Sequence, residues 1–287
     1  MSGLQFRRYD DIKTFRSDVF PVLLADEIQN NLTISIISES KAYDISDWLM
    51  ATVSDSSGIA LTALLVKPFH LLLYETENKR CDDALLMLAR ELKLCGSAPP
   101  GVMAERYLSR RFAGIYSDCA AHSLYMTMTA MRLDEPAAFK RAPGDCRMLK
   151  ERDMFFAPYW ERAFSEECRA TAFSIPENLK RLKTRLGKDT HYIWEDGIPV
   201  SQAVHGRDTP NGAVINGVYT PPHYRGRGYA TSVVAELSNA LLQREKSFCC
   251  LLAVADNLAS CGLYRKLGYR DVCELEDIRF DFSRRLA

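Results

Sequence analysis

The stretch that most constrains the fold runs from Val218 to Ala230, where a β-branched and aromatic segment ends at a proline pair. Gly226 and Gly228 follow the prolines, and a helical pattern begins directly after them. This order predicts a strand, a glycine-rich turn and a helix N-terminus. Glycine allows backbone N–H groups to approach an anion closely, and the helix dipole favours negative charge at that end. The stretch therefore predicts a turn that binds phosphate.

Composition limits the classes of protein and partner. The 287 residues suffice for one large domain or two ordinary ones, and the 47% apolar and 26% charged residues are typical of a folded, soluble chain. Lys+Arg and Asp+Glu both count 37, so the formal net charge is zero. This balance does not favour a nucleic acid or a membrane surface, and we expect neither as a partner.

The cysteine pattern predicts free thiols and no metal site. The nine cysteines are odd in number, and they show neither a Cys-x-x-Cys motif nor a zinc-like cluster with histidine. Cys249 and Cys250 lie inside an apolar run, which predicts that both are buried. The first residues contain no apolar segment of the secretory type, so we expect a cytoplasmic protein.

Hydrophobic periodicity gives two similar series of elements. In the first half it predicts short helices within 11–31, strands at Leu32–Ile37, Trp48–Val53, Ile59–Val66 and Phe69–Tyr74, a helix over about 81–94, a strand at Val102–Ala104, a helix over 105–118 and a strand at Leu124–Leu133. A segment with two prolines and a glycine, Asp134–Gly144, follows. We therefore predict a boundary near residue 140, with lobes 1–140 and 141–287.

The second half predicts a similar order of elements. They are a strand at Cys146–Leu149, helices over 152–168 and from Pro176, strands at His191–Trp194, Val200–His205 and Ala213–Thr220, a helix to about Glu245, a strand at Phe248–Ala255, a helix over Asn257–Leu267, and strands at Tyr269–Cys273 and Glu276–Phe282. The Asp-Gly at 196–197 is a hairpin signal, and Gly268 fits the position after a helix end.

The second half resembles the GNAT (Gcn5-related N-acetyltransferase) superfamily. Its signature, Gln/Arg-x-x-Gly-x-Gly/Ala, is matched by Arg225-Gly226-Arg227-Gly228-Tyr229-Ala230, and the segment Tyr264–Tyr269 after Asn257 is similar to a second family motif. The whole chain resembles two-lobed members in which a degenerate copy precedes an active one. The resemblance implies an α+β fold of tandem acyl-CoA N-acyltransferase lobes, each a mixed, mostly antiparallel sheet flanked by helices.

The resemblance implies acetyl-CoA as co-substrate and one binding site for it, in the second lobe. In the first lobe the corresponding loop, Glu75–Arg80, has no glycine and carries two carboxylates, which disfavour a pyrophosphate. In the second lobe the resemblance assigns the cofactor to backbone and side-chain groups of Val218, Tyr219, Thr220, Arg225, Gly226, Arg227, Gly228, Tyr229, Ala230, Thr231, Asn257 and Ser260.

Tyr264 matches the general acid of the family, which protonates the departing thiolate. A phenol with a pKa of about 10 is protonated at neutral pH and can donate. The general base stays open, because Ala213–Thr220 contains no carboxylate. Candidates in the same lobe are Glu195, Asp196, His205, His223 and a water chain. The aromatic residues Phe155, Phe156, Tyr159 and Trp160 are expected mainly in the core, on the helix that lines the acceptor groove in this fold.

These features favour an N-acetyltransferase that acts on a primary amine. Two alternatives stay open: a non-catalytic acyl-CoA-binding or regulatory protein, and an amino-acid N-acyltransferase of the glycine N-acyltransferase type that uses longer acyl groups. The acceptor, a small molecule or a peptide amine, has no sequence motif. We expect a monomer or a homodimer.

Overall fold

The computed structural model describes residues 3–40, 44–76, 82–116, 121–244 and 246–283. By its internal contacts the chain divides into two units. One consists of residues 1–130 together with 272–287, and the other of residues 131–271. The end of the chain thus groups with the first unit, whereas the sequence assigned it to the second lobe. The boundary near residue 140 stays a prediction about separately folding domains.

The chain folds into a series of strands and helices. They are β1 (Gln5–Tyr9), α1 (Ile12–Leu23), α2 (Asn31–Ser38), β2 (Leu49–Asp55), β3 (Gly58–Leu65), β4 (Leu71–Glu75), α3 (Asp82–Leu94), β5 (Gly101–Glu105), α4 (Arg106–Tyr116), β6 (Ala121–Leu133), β7 (Asp145–Met148), α5 (Ala157–Glu167), α6 (Ile175–Lys183), β8 (His191–Asp196), β9 (Ile198–Asp208), β10 (Gly212–Tyr219), α7 (Tyr229–Leu242), β11 (Phe248–Val254), α8 (Leu258–Lys266) and β12 (Arg270–Asp281).

In the first unit the strand order is β1-β2-β3-β4-β5-β12. The β4–β5 pair is parallel and the other pairs are antiparallel. Successive side chains of a strand point to opposite faces. Leu49 and Ala51 of β2 accordingly pack with α3 and α4, whereas Met50 packs with α1 and α2. Helices therefore cover both faces of these strands.

In the second unit the strand order is β11-β10-β9-β8-β7, with β10 and β11 parallel and the other pairs antiparallel. Tyr192 and Trp194 of β8 join the core against α7, and the intervening Ile193 packs with Ala157 of α5 and Leu182 of α6. Each unit is thus a mixed, mostly antiparallel sheet flanked by helices, which confirms the predicted α+β class.

The prediction of a strand at Leu32–Ile37 is wrong, because this segment belongs to the helix α2. Its β-branched residues favour a strand locally. The buried positions, however, are Ile34 and Ile37 together with Asn31 and Ser35, at the three- and four-residue spacing of a helix. Burial against Phe15 of α1 decides the structure.

Two further differences concern the edges of the first unit. The strand β1 was not predicted, and β12 is one strand where the sequence predicted two. Glu274 lies between the two predicted strands. In the structure it pairs with Arg106 at 2.6 Å, and the ladder with β5 continues from Leu275 to Arg279.

The loop predicted to disable the first copy lies mostly outside the described residues, which exclude 77–80. Glu75 is described, at the end of β4, where it accepts two hydrogen bonds from Arg111 at 2.6 and 3.2 Å. This bidentate pairing partly neutralises one of the two carboxylates.

Candidate functional site

The parallel pair β10 and β11 opens toward one end. Their ladder consists of three residue pairs, from Gly212 with Phe248 to Val214 with Cys250, in a stretch that the structure describes completely. On its other edge β10 pairs with β9 as far as Tyr219. The edge of β10 on the side of β11 therefore has no ladder partner in β11 beyond Val214. A strand edge of this kind can pair with another extended chain through backbone hydrogen bonds. The pair's buried Cys249 and Cys250 confirm the burial predicted for both thiols.

A bulge in β10 lies within this open stretch. Asn216 pairs with Val204 and Tyr219 pairs with Gln202, so two residues of β10 oppose one residue of β9. The first of the two, Gly217, has φ = 59°, and a Cβ there would lie 2.9 Å from Val204 Cγ2. Glycine is required by both the dihedral angle and the space. The bulge changes the direction in which the backbone at Val218 projects.

The predicted turn follows the strand and leads directly into α7. Gly226 and Gly228 have φ values of 76° and 83°, and Gly228 is the N-cap of the helix. Ser232 N donates to Gly228 O at 3.0 Å, so the N–H groups of Tyr229, Ala230 and Thr231 precede the intrahelical ladder. Residues 225–228 are exposed, and Ala230 and Thr231 are half-buried. The arrangement is that of a helix terminus open to an anion.

The side chains around the turn are already engaged within the protein. Arg225 donates to both carboxylate oxygens of Glu167 at 2.7 and 2.8 Å, and its Nε donates to Thr220 O. Tyr229 donates to Asp196 at 2.5 Å, and Arg227 donates to the carbonyl of His223 at 3.3 Å. A bound anion would meet backbone N–H groups first. Arg225 would have to leave Glu167 to reach it.

Strand residues before the turn are held from both sides. Thr220 Oγ1 and Ser201 Oγ are 2.8 Å apart, and Ser201 also donates to the carbonyl of Tyr219 at 3.2 Å. The Tyr219 ring is buried beside Trp160 of α5, with 6.1 Å between ring centroids, and Val218 is half-buried. These contacts fix the end of β10 against α5.

Tyr264 lies on α8, which follows the open end of β11. Asn257 caps this helix, since its Oδ1 accepts from Ser260 N at 3.1 Å. Tyr264 is only 7% exposed, and burial raises its pKa to about 12, although a hydrogen bond with Ser260 acts in the opposite direction. The phenol is therefore protonated at neutral pH and can donate a proton or a hydrogen bond.

The predicted base candidates are bound to other groups. Glu195 forms ion pairs with Arg147 and Arg152, which hold the pKa of its carboxyl below the usual value, and Asp196 accepts from Tyr229. His205 is 3.0 Å from Asp208, and the ring of His223 packs on Tyr224. The structure brings none of these four side chains to the β10 bulge among the contacts it describes.

Sequence reasoning missed Glu161 on α5, whose carboxylate does lie at the bulge. Its Oε1 is 3.7 Å from the point that a Cβ on Gly217 would occupy. Arg185 donates to this oxygen at 3.2 Å and Gln202 at 3.3 Å. The sequence signal was weak, because Glu161 is one carboxylate on an aromatic helix and its partners are distant in the chain.

The aromatic residues near Glu161 are less buried than predicted. Phe155 is 76% exposed and Tyr159 is 58% exposed, whereas Phe156 and Trp160 are half-buried and in contact, with 4.4 Å between their ring centroids. The expectation of core packing is therefore wrong for Phe155 and Tyr159. These two residues lie on the outer face of the segment, away from the core beneath α5.

Within the described ranges no three His, Cys, Asp or Glu side chains come together in a way that suits a metal ion. Over the same ranges no helix is both long enough and apolar enough to cross a membrane.

Comparison with known proteins supports the likeness inferred from the motifs. The family described as FR47-like protein matches residues 196–278. No curated protein matches the chain. The chain is similar in structure to a Gcn5-related N-acetyltransferase from Sphaerobacter thermophilus, with 15% identity, a TM-score of 0.68 and coverage of 96% of this chain and 95% of the other.

Two other solved structures are also similar over nearly the whole chain. One is a GNAT-family acetyltransferase from Colwellia psychrerythraea, with 10% identity, a TM-score of 0.61 and coverage of 97% and 99%. The other is a tandem GNAT protein from the clavulanic acid biosynthesis pathway, with 13% identity, a TM-score of 0.58 and coverage of 96% and 98%. At these identities the likeness concerns the fold. The chain therefore has the fold of tandem GNAT proteins, and residues 196–278 in its second half match the FR47-like family.

Proposed function

We propose that the second unit transfers the acetyl group of acetyl-CoA to a primary amine, which attacks the thioester directly. The observation that carries the proposal is the opening between β10 and β11, which ends at the glycine turn before α7. Along the chain, a strand edge is thus followed by a helix terminus. Coenzyme A has an extended pantetheine arm that ends in a pyrophosphate, and these two features can bind the two parts in that order.

In this proposal backbone groups bind most of the cofactor. Val218, Tyr219 and Thr220 pair with the pantetheine arm. The N–H groups from Gly226 to Thr231 face the pyrophosphate, and the side chain of Arg227 lies beside them. Asn257 and Ser260 at the start of α8 flank the thioester. Recognition through backbone groups tolerates many side chains. In such a site the glycines of the turn are more important for binding than the side chains next to them.

The reaction needs a donor for the carbonyl oxygen and a proton for the leaving group. As the amine nitrogen bonds to the carbonyl carbon, negative charge on the oxygen is stabilised by the N–H group of Val218 at the bulge. The C–S bond then breaks, and Tyr264 donates its proton to the thiolate. The phenol regains a proton from the amine nitrogen through solvent. The acceptor is a small molecule or a peptide with a primary amine, and the protein acts as a monomer or homodimer.

Calorimetric titration with acetyl-CoA, followed by release of free thiol, tests this function. We would offer spermidine, glycine, kanamycin and an unblocked tripeptide as acceptors, and identify acetylated products by mass spectrometry. Thiol release with an acetylated product supports the proposal. Binding without thiol release from any acceptor favours a non-catalytic acyl-CoA-binding protein. Faster reaction with a longer acyl-CoA and glycine favours an amino-acid N-acyltransferase.

A further inference from the structure

The carboxylate of Glu161 is positioned by a buried chain of hydrogen bonds. Gln202 Nε2 donates to Glu161 Oε1 at 3.3 Å and to the carbonyl of Gly217 at 3.2 Å. The same amide therefore contacts both the carboxylate and the bulge. Because Gln202 is fully buried, the position of its amide is fixed by these partners.

His191 on β8 fixes the orientation of that amide. Its Nε2 lies 3.2 Å from Gln202 Oε1, and an amide oxygen only accepts, so Nε2 carries the proton. His191 is fully buried, and burial lowers its pKa to about 3. The ring is thus neutral, and its Nδ1 is a buried atom with no hydrogen-bond partner among the described residues. An unsatisfied nitrogen costs stability. Its retention is consistent with a role in orienting Gln202.

Glu161 lies against the part of β10 that the proposed function assigns to the cofactor. Trp160, the residue before it on α5, has its ring centroid 6.1 Å from that of Tyr219. Glu161 Oε1 lies 3.7 Å from the Cβ position of Gly217, the residue before Val218. The carboxylate is therefore beside the backbone that would stabilise the carbonyl oxygen of the thioester.

We infer that Glu161 is the general base, which receives the proton of the acceptor ammonium, and that Gln202 and His191 position it. This inference rests on the proposed function. One N–H bond of the ammonium breaks, its proton passes to a Glu161 oxygen directly or through one water, and the neutral amine attacks the thioester. The carboxylic acid then releases the proton to solvent. The second amine proton follows the route through Tyr264 given above.

The groups that face Glu161, directly or through Gln202, come from three parts of the chain. Arg185, in the turn after α6, is its ion-pair partner, and His191 on β8 reaches it through Gln202 on β9. Beyond His191 lies the pair of Arg147 and Asp153, at 2.7 Å. The side chain of Glu161 is 15% exposed, so solvent can reach it and exchange the proton.

The test compares two nucleophiles that differ in whether they need a base. Glu161→Gln keeps the size of the side chain and an oxygen that accepts from Arg185, but it cannot take a proton. An alkylamine, here spermidine, is an ammonium ion at pH 7 and requires deprotonation. Hydroxylamine is neutral at pH 7 and does not. Thiol release from acetyl-CoA would be measured with both, after subtraction of the enzyme-free rate.

We expect Glu161→Gln to lower kcat/KM for spermidine about 100-fold, the lower range for loss of a general base. The rate with hydroxylamine should stay within about threefold of the parent rate. With spermidine, the difference in kcat/KM between the parent and the variant should become smaller as pH rises toward the amine pKa of about 10. Glu166→Gln is the matched control. Glu166 lies on the same helix, exposed and paired with Arg162, and its variant should react like the parent with both nucleophiles.

A variant that is unchanged with spermidine, or equally slow with both nucleophiles, would overturn the role of Glu161 as base. Gln202→Met provides an independent check in which the carboxylate is retained but loses its anchor. It should lower kcat for spermidine by a larger factor than the hydroxylamine rate, because only the spermidine reaction needs the base; equal loss with both nucleophiles counts against positioning of Glu161. If the parent protein binds acetyl-CoA but reacts with neither nucleophile, the proposed function itself fails, together with this inference.

Discussion

At the residue scale, Tyr264 and Glu161 differ in how far the sequence reveals them. Tyr264 lies seven residues after Asn257, and this local spacing identifies its helix and its position. Glu161 becomes notable only through contacts with Gln202 and Gly217, which are 41 residues and more away in the chain. The proximity of Glu161 to these two residues depends on how α5 packs on the sheet, and helical periodicity in the sequence does not predict that packing.

Replacement of Tyr264 by Phe tests the proposed acid. We expect kcat to fall about 100-fold or more, as for loss of a general acid, because the thiolate then leaves without a proton. The apparent dissociation constant of coenzyme A should change less than about threefold, since the cofactor is bound mostly by backbone groups. Steady-state kinetics and calorimetry give the two values. Unchanged turnover would contradict the role, and a large loss of affinity would assign the phenol to binding.

His191 makes stability sensitive to mild acid. Its pKa is about 3 in the folded chain and about 6.5 when unfolded, so below pH 6.5 the unfolded chain binds the extra proton. The folded state accordingly loses stability as pH falls, by about 2 kcal/mol between pH 6.5 and 5 from this residue. Urea unfolding at pH 7 and 5 should show that His191→Gln loses less stability on acidification than the parent. Parallel losses would contradict the assignment.

At the scale of elements, the strand–turn–helix unit was predictable because its residues are consecutive. Proline, glycine and the helical period each mark a boundary within thirteen residues, Val218–Ala230, and the structure places β10, the turn and α7 accordingly. The strand prediction for residues 32–37 was wrong because the decisive contacts are distant in the chain. Its β-branched residues carry a strand preference, but burial against α1 favours the helix α2.

The ion pair between Arg225 in the turn and Glu167 on α5 predicts that removal of a carboxylate increases the affinity for coenzyme A. Because Glu167 occupies Arg225 in the free protein, Glu167→Gln should release the guanidinium and tighten coenzyme A binding. The gain should be at most about fivefold, since an exposed ion pair is worth up to about 1 kcal/mol. Arg225→Gln should weaken binding, and the double variant should match it. Calorimetry at low salt gives these affinities.

Weaker binding by Glu167→Gln would show that the ion pair supports the site by shaping the turn. Glu166→Gln again serves as the control for a carboxylate lost from α5. At high ionic strength the differences among these variants should shrink, because exposed charges are screened.

At the scale of the whole molecule, the sequence predicted two similar series of elements, and the contacts add that the last strand groups with the first unit. The prolines and glycine of Asp134–Gly144 suggested a boundary, whereas contacts divide the chain at 130/131 and again at 271/272. The second division depends on the pairing of Leu275–Arg279 with β5, which lies about 170 residues earlier. Local composition cannot report a strand pairing at that distance.

A single coenzyme A site per chain is the prediction at this scale. The second unit has the open strand edge and the glycine turn, and the first copy has no glycine in the corresponding segment, Glu75–Arg80. Titration of the full chain with coenzyme A should give a stoichiometry of one, and Gly228→Arg, which fills the turn at a φ of 83°, should abolish binding. Two equivalent sites, or binding that survives this variant, would contradict the prediction.

The return of β12 to the first unit also has a consequence for synthesis. Ribosomes add about 5 to 20 residues per second, so roughly 10 to 35 s pass between the emergence of Glu105 and that of Leu275. During that interval one edge of β5 lacks its antiparallel partner in a nascent chain that already carries β1 to β4. Exposed strand edges invite pairing with other chains. A cell that makes this protein must therefore protect an unfinished sheet until the last strand arrives.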